Sequence, residues 1–203
     1  MRGPVPGDGA GPTRPAGEGA AVSGLAAFVR FVDGLNDGIG RAVAWLTLAM
    51  VLVTCLVVAL RYGFSLGWVW MQESYVWMHG LVFMLGAAYT LLHDAHVRVD
   101  IVYRPATVRY RALVDLCGSL LLVIPVVALV AWVSYPYVAA SWSKLESSRE
   151  AGGLEGLFLL KTVLLVFCAL VALQALSMAA RCLLVLSGHP EFVPPREEPE
   201  HGV

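Results

Sequence analysis

The chain has 203 residues, of which 58% are hydrophobic and only 14% are charged. A soluble globular domain carries about 25% charged residues. The formal net charge of -1 argues against nucleic-acid binding, which calls for a basic face or stripe. Charged residues are excluded from four windows, which are 42–60, 74–92, 116–143 and 162–180. The remaining segments are too short for a soluble catalytic domain of ordinary size.

Each of the four windows is long enough to cross a membrane as a helix. A hydrocarbon core about 30 Å thick requires roughly 20 residues at a rise of 1.5 Å each. The sequence therefore predicts an all-α membrane protein whose transmembrane domain, 42–186, contains four helices. The predicted spans are 42–60, 68–92, 112–142 and 157–181. Pro125 and Pro136 predict that the third span is bent or tilted.

Both ends of the chain are predicted to be disordered tails. Residues 1–24 contain seven glycines and four prolines with few large apolar side chains, a composition that cannot bury enough surface to fold. The second tail covers 187–203. The first tail lacks the compact apolar region of a secretory signal, so the first span is expected to serve as an uncleaved anchor.

Residues 25–41 are predicted to form an amphipathic helix that lies at the membrane surface. Apolar side chains recur there at helical spacing, at Leu25, Phe28, Val32, Leu35 and Ile39. The alternative is a simple helical extension of the first span. Three glycines, Gly34, Gly38 and Gly40, favour a break between the two, because each costs roughly 1 kcal/mol inside a helix.

The distribution of basic residues predicts the orientation. Ten of the 14 Lys and Arg residues fall on the side that holds the N-terminus, the C-terminus and the middle loop. Because cytoplasmic loops are enriched in Lys and Arg, both termini are predicted to be cytoplasmic. The long loop from Lys144 to Lys161 is then on the outer side.

Two ionisable side chains lie at membrane depth, where such groups are costly and often functional. His79 shares a seven-residue repeat with Gln72, Gly86 and His93, so this polar stripe is expected to face protein rather than lipid. The functional hypothesis for His79 is a proton relay or a ligand. The favoured alternative is a packing histidine that bonds to a neighbouring hydroxyl or carbonyl.

Glu73 lies about one turn inside the outer end of the second span, and Arg61 ends the first span on the same side. We expect these two side chains to form an ion pair at the outer interface, where partial desolvation strengthens it. The alternative is two independent side chains that extend toward water.

Two further patterns have structural interpretations. The run from His93 to Asp100, which includes His96, alternates His and Asp, but without complementary ligands elsewhere it favours helix capping over metal binding. No metal or other cofactor is therefore expected. In the fourth span, small residues recur at steps of four and three, which permits close helix approach. They are Cys168, Ala172, Ala175, Ala179 and Cys182.

Several short motifs, in order along the chain, resemble the small permease subunit of tripartite ATP-independent periplasmic (TRAP) transporters. The resemblance covers roughly Leu35 to Leu186. The motifs are Arg61-Tyr62, Trp70 with Glu73, Gly86-Ala87-Ala88, His96 to Asp100, Glu146-Ser147, Gly152-Gly153-Leu154, Lys161 and Gln174.

This resemblance implies a function that depends on partners. Such subunits pair with a large permease subunit in the bacterial inner membrane, a soluble periplasmic protein captures the solute, commonly a carboxylate, and a sodium gradient drives uptake. The small subunit would act as a scaffold, not an enzyme.

Two alternatives from other classes remain at this point. One is a four-span redox protein linked to haem or quinone, although the four cysteines lie within or beside apolar windows and form no CxxC motif. The other is a small oligomeric exporter, in which Glu73 or His79 would line a shared pore.

Overall fold

The computed structural model describes residues 16–93, 107–189 and 192, and every long regular element among them is helical. The elements are α1 (Ala16–Phe64), α2 (Val69–Leu92), α3 (Val108–Gly118), a π-helical turn (Ser119–Val123), α4 (Ile124–Ser143) and α5 (Leu157–Leu186). The all-α prediction is confirmed.

Four helical segments are long and apolar enough to cross a membrane. They are Val22–Phe64, Val69–Leu92, Val108–Ser143 and Leu157–Leu186, and the third combines α3, the π-helical turn and α4. The four predicted transmembrane helices are thus confirmed. The cytoplasmic placement of both termini and the disordered tails stay predictions.

Helix α1 runs without interruption through the glycines that favoured a break. It begins at Ala16, inside the segment predicted to be a tail, and continues to Phe64. A Cβ atom at Gly40 would overlap the ring of Tyr89 on α2. This glycine lets two helices approach closely, and packing of that kind offsets its intrinsic helix penalty. The segment predicted as a separate interfacial helix is therefore an extension of α1.

The third span accommodates each of its two prolines in a different way. Just before Pro125 the helix widens into the π-helical turn, where the Ile124 N–H donates to the Ser119 carbonyl. Pro136 lies inside α4 without ending it. A single π-helical turn inside an α-helix is a local adjustment of the backbone, and here it ends two residues before Pro125, which lacks an N–H.

Helix α5 lies at the centre of the packing and buries much more of its length than the other spans. Ala88 of α2 and Val127 of α4 pack with Cys168, Leu170 and Val171 in one apolar cluster. The predicted small-residue stripe lies on this inner side. Cys168, Ala175, Ala179 and Cys182 are buried, and Ala172 packs against the cluster.

Candidate functional site: polar clusters at the two ends of the bundle

Glu73 binds the loop that joins α4 to α5, residues 144–156. Its Oε1 accepts a hydrogen bond from Ser148 Oγ, and its Oε2 accepts one from the Leu154 N–H at 2.6 Å. Among the described residues Glu73 makes no ion pair with Arg61, whose side chain is exposed. The predicted Arg61–Glu73 pair is therefore wrong, because the loop supplies two hydrogen-bond donors to the Glu73 carboxylate instead.

Adjacent glycines allow this loop to close on Glu73. Gly152 has a φ of +77°, a conformation that side chains rarely adopt. At Gly153 there is no room for a side chain, since a Cβ there would lie 2.5 Å from Ser148 Oγ and 2.7 Å from Glu73 Oε2. The family resemblance singled out both glycines as a motif, and the structure adds that Gly153 makes room for a carboxylate.

A second carboxylate, that of Glu146, fixes the loop to α5. Its Oε2 lies 2.5 Å from Lys161 Nζ and accepts a hydrogen bond from Ser141 Oγ at 2.7 Å. The hydrogen bonds from Lys161 and Ser141 lower the pKa of Glu146 below its ordinary value. The Lys161 ammonium also lies 4.1 Å from the centroid of the Tyr137 ring, which gives a cation–π contact.

Together these contacts tie α2, α4 and α5 to one loop. We call Glu73, Glu146, Ser148, Gly153 and Lys161 the loop cluster. Both of its carboxylates point inward, so the outer surface of the loop is formed by other charged side chains. Those exposed there are Lys144, Arg149, Glu150 and Glu155.

A polar cluster that sequence reasoning missed joins α1 to the other end of α5. Asp33 Oδ1 accepts hydrogen bonds from Ser177 Oγ at 2.9 Å and Gln174 Nε2 at 3.1 Å, and Asp33 Oδ2 pairs with Arg181. Asn36, which is 1% exposed, donates through Nδ2 to Gln174 Oε1 at 2.7 Å. We call these five residues the Asp33 cluster.

Helical spacing could have identified this cluster. Asp33 and Asn36 are three residues apart, and Gln174, Ser177 and Arg181 follow at steps of three and four, so each set occupies one face. The predicted apolar stripe of α1 shares only Val32 with the fully buried residues of that helix. The buried face instead runs one position away along much of the helix, through Ala26, Val29, Val32, Asn36 and Val43.

The neighbouring carboxylate, Asp37, links α1 to α2. Its Oδ2 lies 2.7 Å from Arg41, and its Oδ1 lies 3.7 Å from His93 Nε2. The His93 ring also stacks at a tilt on Tyr89, with centroids 4.1 Å apart. His93 therefore helps to close the end of α2 nearest the Asp33 cluster.

The two clusters lie at opposite ends of α5. Lys161 and Arg181 are twenty residues apart, which corresponds to about 30 Å along a helix. That separation matches the thickness of a hydrocarbon core. The charged groups thus anchor the bundle near both membrane surfaces and leave the middle of α5 to apolar packing.

The middle of the heptad stripe, at His79 and Gly86, does not pack against the other helices of this chain. His79 is exposed, and a Cβ at Gly86 would have no heavy atom within 4 Å. Trp70, which belongs to the motif shared with Glu73, is 47% exposed. Because α2 presents His79 away from this chain's other helices, the expectation that the polar stripe faces other protein stays a prediction.

The remaining candidates lie outside the described residues. These are His96 and Asp100, with the rest of the run that follows His93. In the part of the chain that the structure describes, no three His, Cys, Asp or Glu side chains come together to hold a metal ion.

A comparison with protein families agrees with this architecture. Residues 50–185 match the family model described as "Tripartite ATP-independent periplasmic transporters, DctQ component". No curated protein and no solved structure matches the chain. The matched segment holds the loop cluster and the α5 half of the Asp33 cluster, and it covers most of the chain. The chain therefore belongs to the DctQ family, the small permease components of TRAP transporters.

Proposed function

We propose that this chain is a supporting subunit that holds a large permease subunit in the membrane during ion-gradient-driven uptake of a small solute. The observation that carries this proposal is that the partly buried charged side chains are paired within this chain. Asp33, Glu73, Glu146, Lys161 and Arg181 all bind other groups of this chain across helices or loops. Such contacts stiffen the bundle, which suits a scaffold.

The protein operates in the bacterial inner membrane with both termini in the cytoplasm. The excess of Lys and Arg on the side of the termini supports this orientation. The 144–156 loop then faces the periplasm, and its exposed charges of both signs suit contact with a soluble solute-binding protein. The resemblance to TRAP small subunits supports a carboxylate as the transported group.

Reconstitution of uptake tests the proposal. Proteoliposomes that contain the large permease and this chain are supplied with the periplasmic binding protein, a radiolabelled carboxylate and an inward sodium gradient. We expect uptake only when all components and the gradient are present. Vesicles with the large permease alone are the matched control. Equal uptake with and without this chain would contradict the supporting role, and uptake by this chain alone would indicate an autonomous transporter.

A further inference from the structure

An apolar groove opens between α1 and α2 on the outside of the bundle. It has a volume of about 410 Å³ and is lined by Met50, Val51, Thr54, Cys55, Tyr75, Val76 and His79. Val51 and Val76 are 50% and 56% exposed. A groove of this size accommodates several side chains from a neighbouring helix.

The groove lies near the middle of the membrane. Cys55 is nine residues before the end of α1, and His79 is ten residues after the start of α2. At 1.5 Å per residue, both lie about 14–15 Å from the turn that joins the two helices. That is half the thickness of a hydrocarbon core about 30 Å thick.

The imidazole of His79 requires that an occupant of the groove offer a hydrogen-bonding group. Within the described part of the chain, His79 has no hydrogen-bond partner, and the nearby Thr54 hydroxyl already donates to the Met50 carbonyl at 2.7 Å. A lipid acyl chain could fill the volume but offers no hydrogen-bonding group, so it would leave the imidazole unsatisfied. A protein helix that carries a polar side chain at this depth satisfies both the shape and the chemistry.

We propose that the α1–α2 groove is the docking surface for a transmembrane helix of the large permease subunit, which places a hydrogen-bonding side chain against His79. The inference rests on the proposed function, since it identifies the face through which this chain holds its partner. The middle of the polar stripe of α2, at His79 and Gly86, is then buried in the complex rather than within the chain.

Photo-crosslinking in the co-expressed complex tests the face. A benzophenone amino acid is placed at Val51 or Val76 in the groove, or at Val133 as a control. Val133 is 65% exposed and lies on α4, about 15 Å from that helix's end at Ser143. The residue type is matched, and the depth falls between those of Val51, about 20 Å from the end of α1, and Val76, about 10 Å from the start of α2. We expect adducts with the large permease at Val51 and Val76, and at least tenfold less at Val133.

The other outcomes separate the inference from the proposed function. Adducts with the large permease at Val133 alone, or equally at all three positions, would overturn the groove while leaving the supporting role intact. Adducts only with lipid or with a second copy of this chain at the groove would also overturn it. If the large permease forms no adduct at any position and does not co-purify, the supporting role itself fails.

Substitution of His79 tests the hydrogen bond. His79→Leu should reduce the retained large permease by about threefold to tenfold, the effect of one interhelical hydrogen bond in a membrane. His79→Gln keeps a hydrogen-bonding side chain and should retain most of it. Because His79 is exposed in this chain, both variants should accumulate at the normal level. Equal retention by His79→Leu and the unmodified chain would refute the role of His79.

Discussion

Removing the carboxylate of Asp33 should destabilise the bundle more than any change to the neighbouring carboxylate. Asp33→Leu deprives Arg181, Gln174 and Ser177 of their shared acceptor. Breaking a buried ion pair by removing one partner costs about 3–5 kcal/mol. The side chains of Arg181 and Asp33 are 22% and 19% exposed, so the arginine can extend partly toward water. We therefore expect a loss of about 2–4 kcal/mol of unfolding free energy.

Denaturation of the purified chain in mixed micelles, followed by far-ultraviolet circular dichroism, measures this loss. Asp37→Leu is the matched control, because its Arg41 partner is 76% exposed and its contact with the 46% exposed His93 is long, at 3.7 Å. Exposed pairs of this kind contribute about 0.3–0.5 kcal/mol. Adding Arg181→Leu to Asp33→Leu should cost less than the two single changes together. Equal losses for Asp33→Leu and Asp37→Leu, or full additivity of the double variant, would refute the Asp33 cluster as a stabilising contact.

Three further changes test the loop cluster and the centre of α5. Gly153→Ala should cost about 1–3 kcal/mol in the same denaturation assay, because the new Cβ displaces the Ser148 hydroxyl and the bound carboxylate, whereas Gly67→Ala enters open space and should be near neutral. A loss that is no greater for Gly153→Ala would contradict the loop geometry. Since the pKa of Glu146 is lowered in the folded chain, its contribution is fully present above its ordinary pKa of 4.5 and is lost as the pH falls through the lower folded value. Limited proteolysis of the 144–156 loop should accelerate when the pH falls below the ordinary pKa of Glu146, and Glu146→Gln should remove this pH dependence. An unchanged pH profile in Glu146→Gln would show that another group controls the loop. Ala175→Leu should cost about 1–3 kcal/mol of unfolding free energy, because residue 175 is 0% exposed. The same change at the exposed Ala169 should cost under about 0.5 kcal/mol. A larger loss at Ala169 than at Ala175 would show that the buried face of α5 has been assigned incorrectly.

Charge exclusion predicted the spans well because it follows directly from the bilayer. A charged group in hydrocarbon is expensive, so long uncharged windows mark helices wherever they occur in the sequence. The windows at 74–92 and 162–180 lie inside α2 and α5, whose observed bounds are Val69–Leu92 and Leu157–Leu186. The helix ends extend beyond the windows because charged and aromatic side chains are tolerated near the interfaces.

The glycines of α1 misled the prediction because intrinsic propensity ignores packing. Gly40 costs helix stability in isolation, but the Tyr89 ring occupies the space that a side chain would take. The face of α1 that packs also includes Asn36, a polar residue that no apolar periodicity detects. Contacts between α1 and α2 decide the first feature, and contacts between α1 and α5, which join residues about 140 positions apart, decide the second.

Partners of charged side chains were the least predictable feature of the candidate site. Proximity along the chain suggested Arg61 for Glu73, yet a loop 75 residues further on binds it instead. Glu146, Gly153 and Lys161 stood out as motif residues, but their three-dimensional roles depend on how that loop folds back. His79 stood out in the sequence as an ionisable group at membrane depth, but the direction it faces depends on how α2 is rotated in the bundle.

Purification of the chain from its native membrane in a mild detergent tests the central claim most directly. The supporting role predicts that a tagged chain retains a large multispan permease at a fixed, near-stoichiometric ratio, and that the ratio survives size-exclusion chromatography. Recovery of a stable, folded chain that carries no large membrane partner would contradict the account.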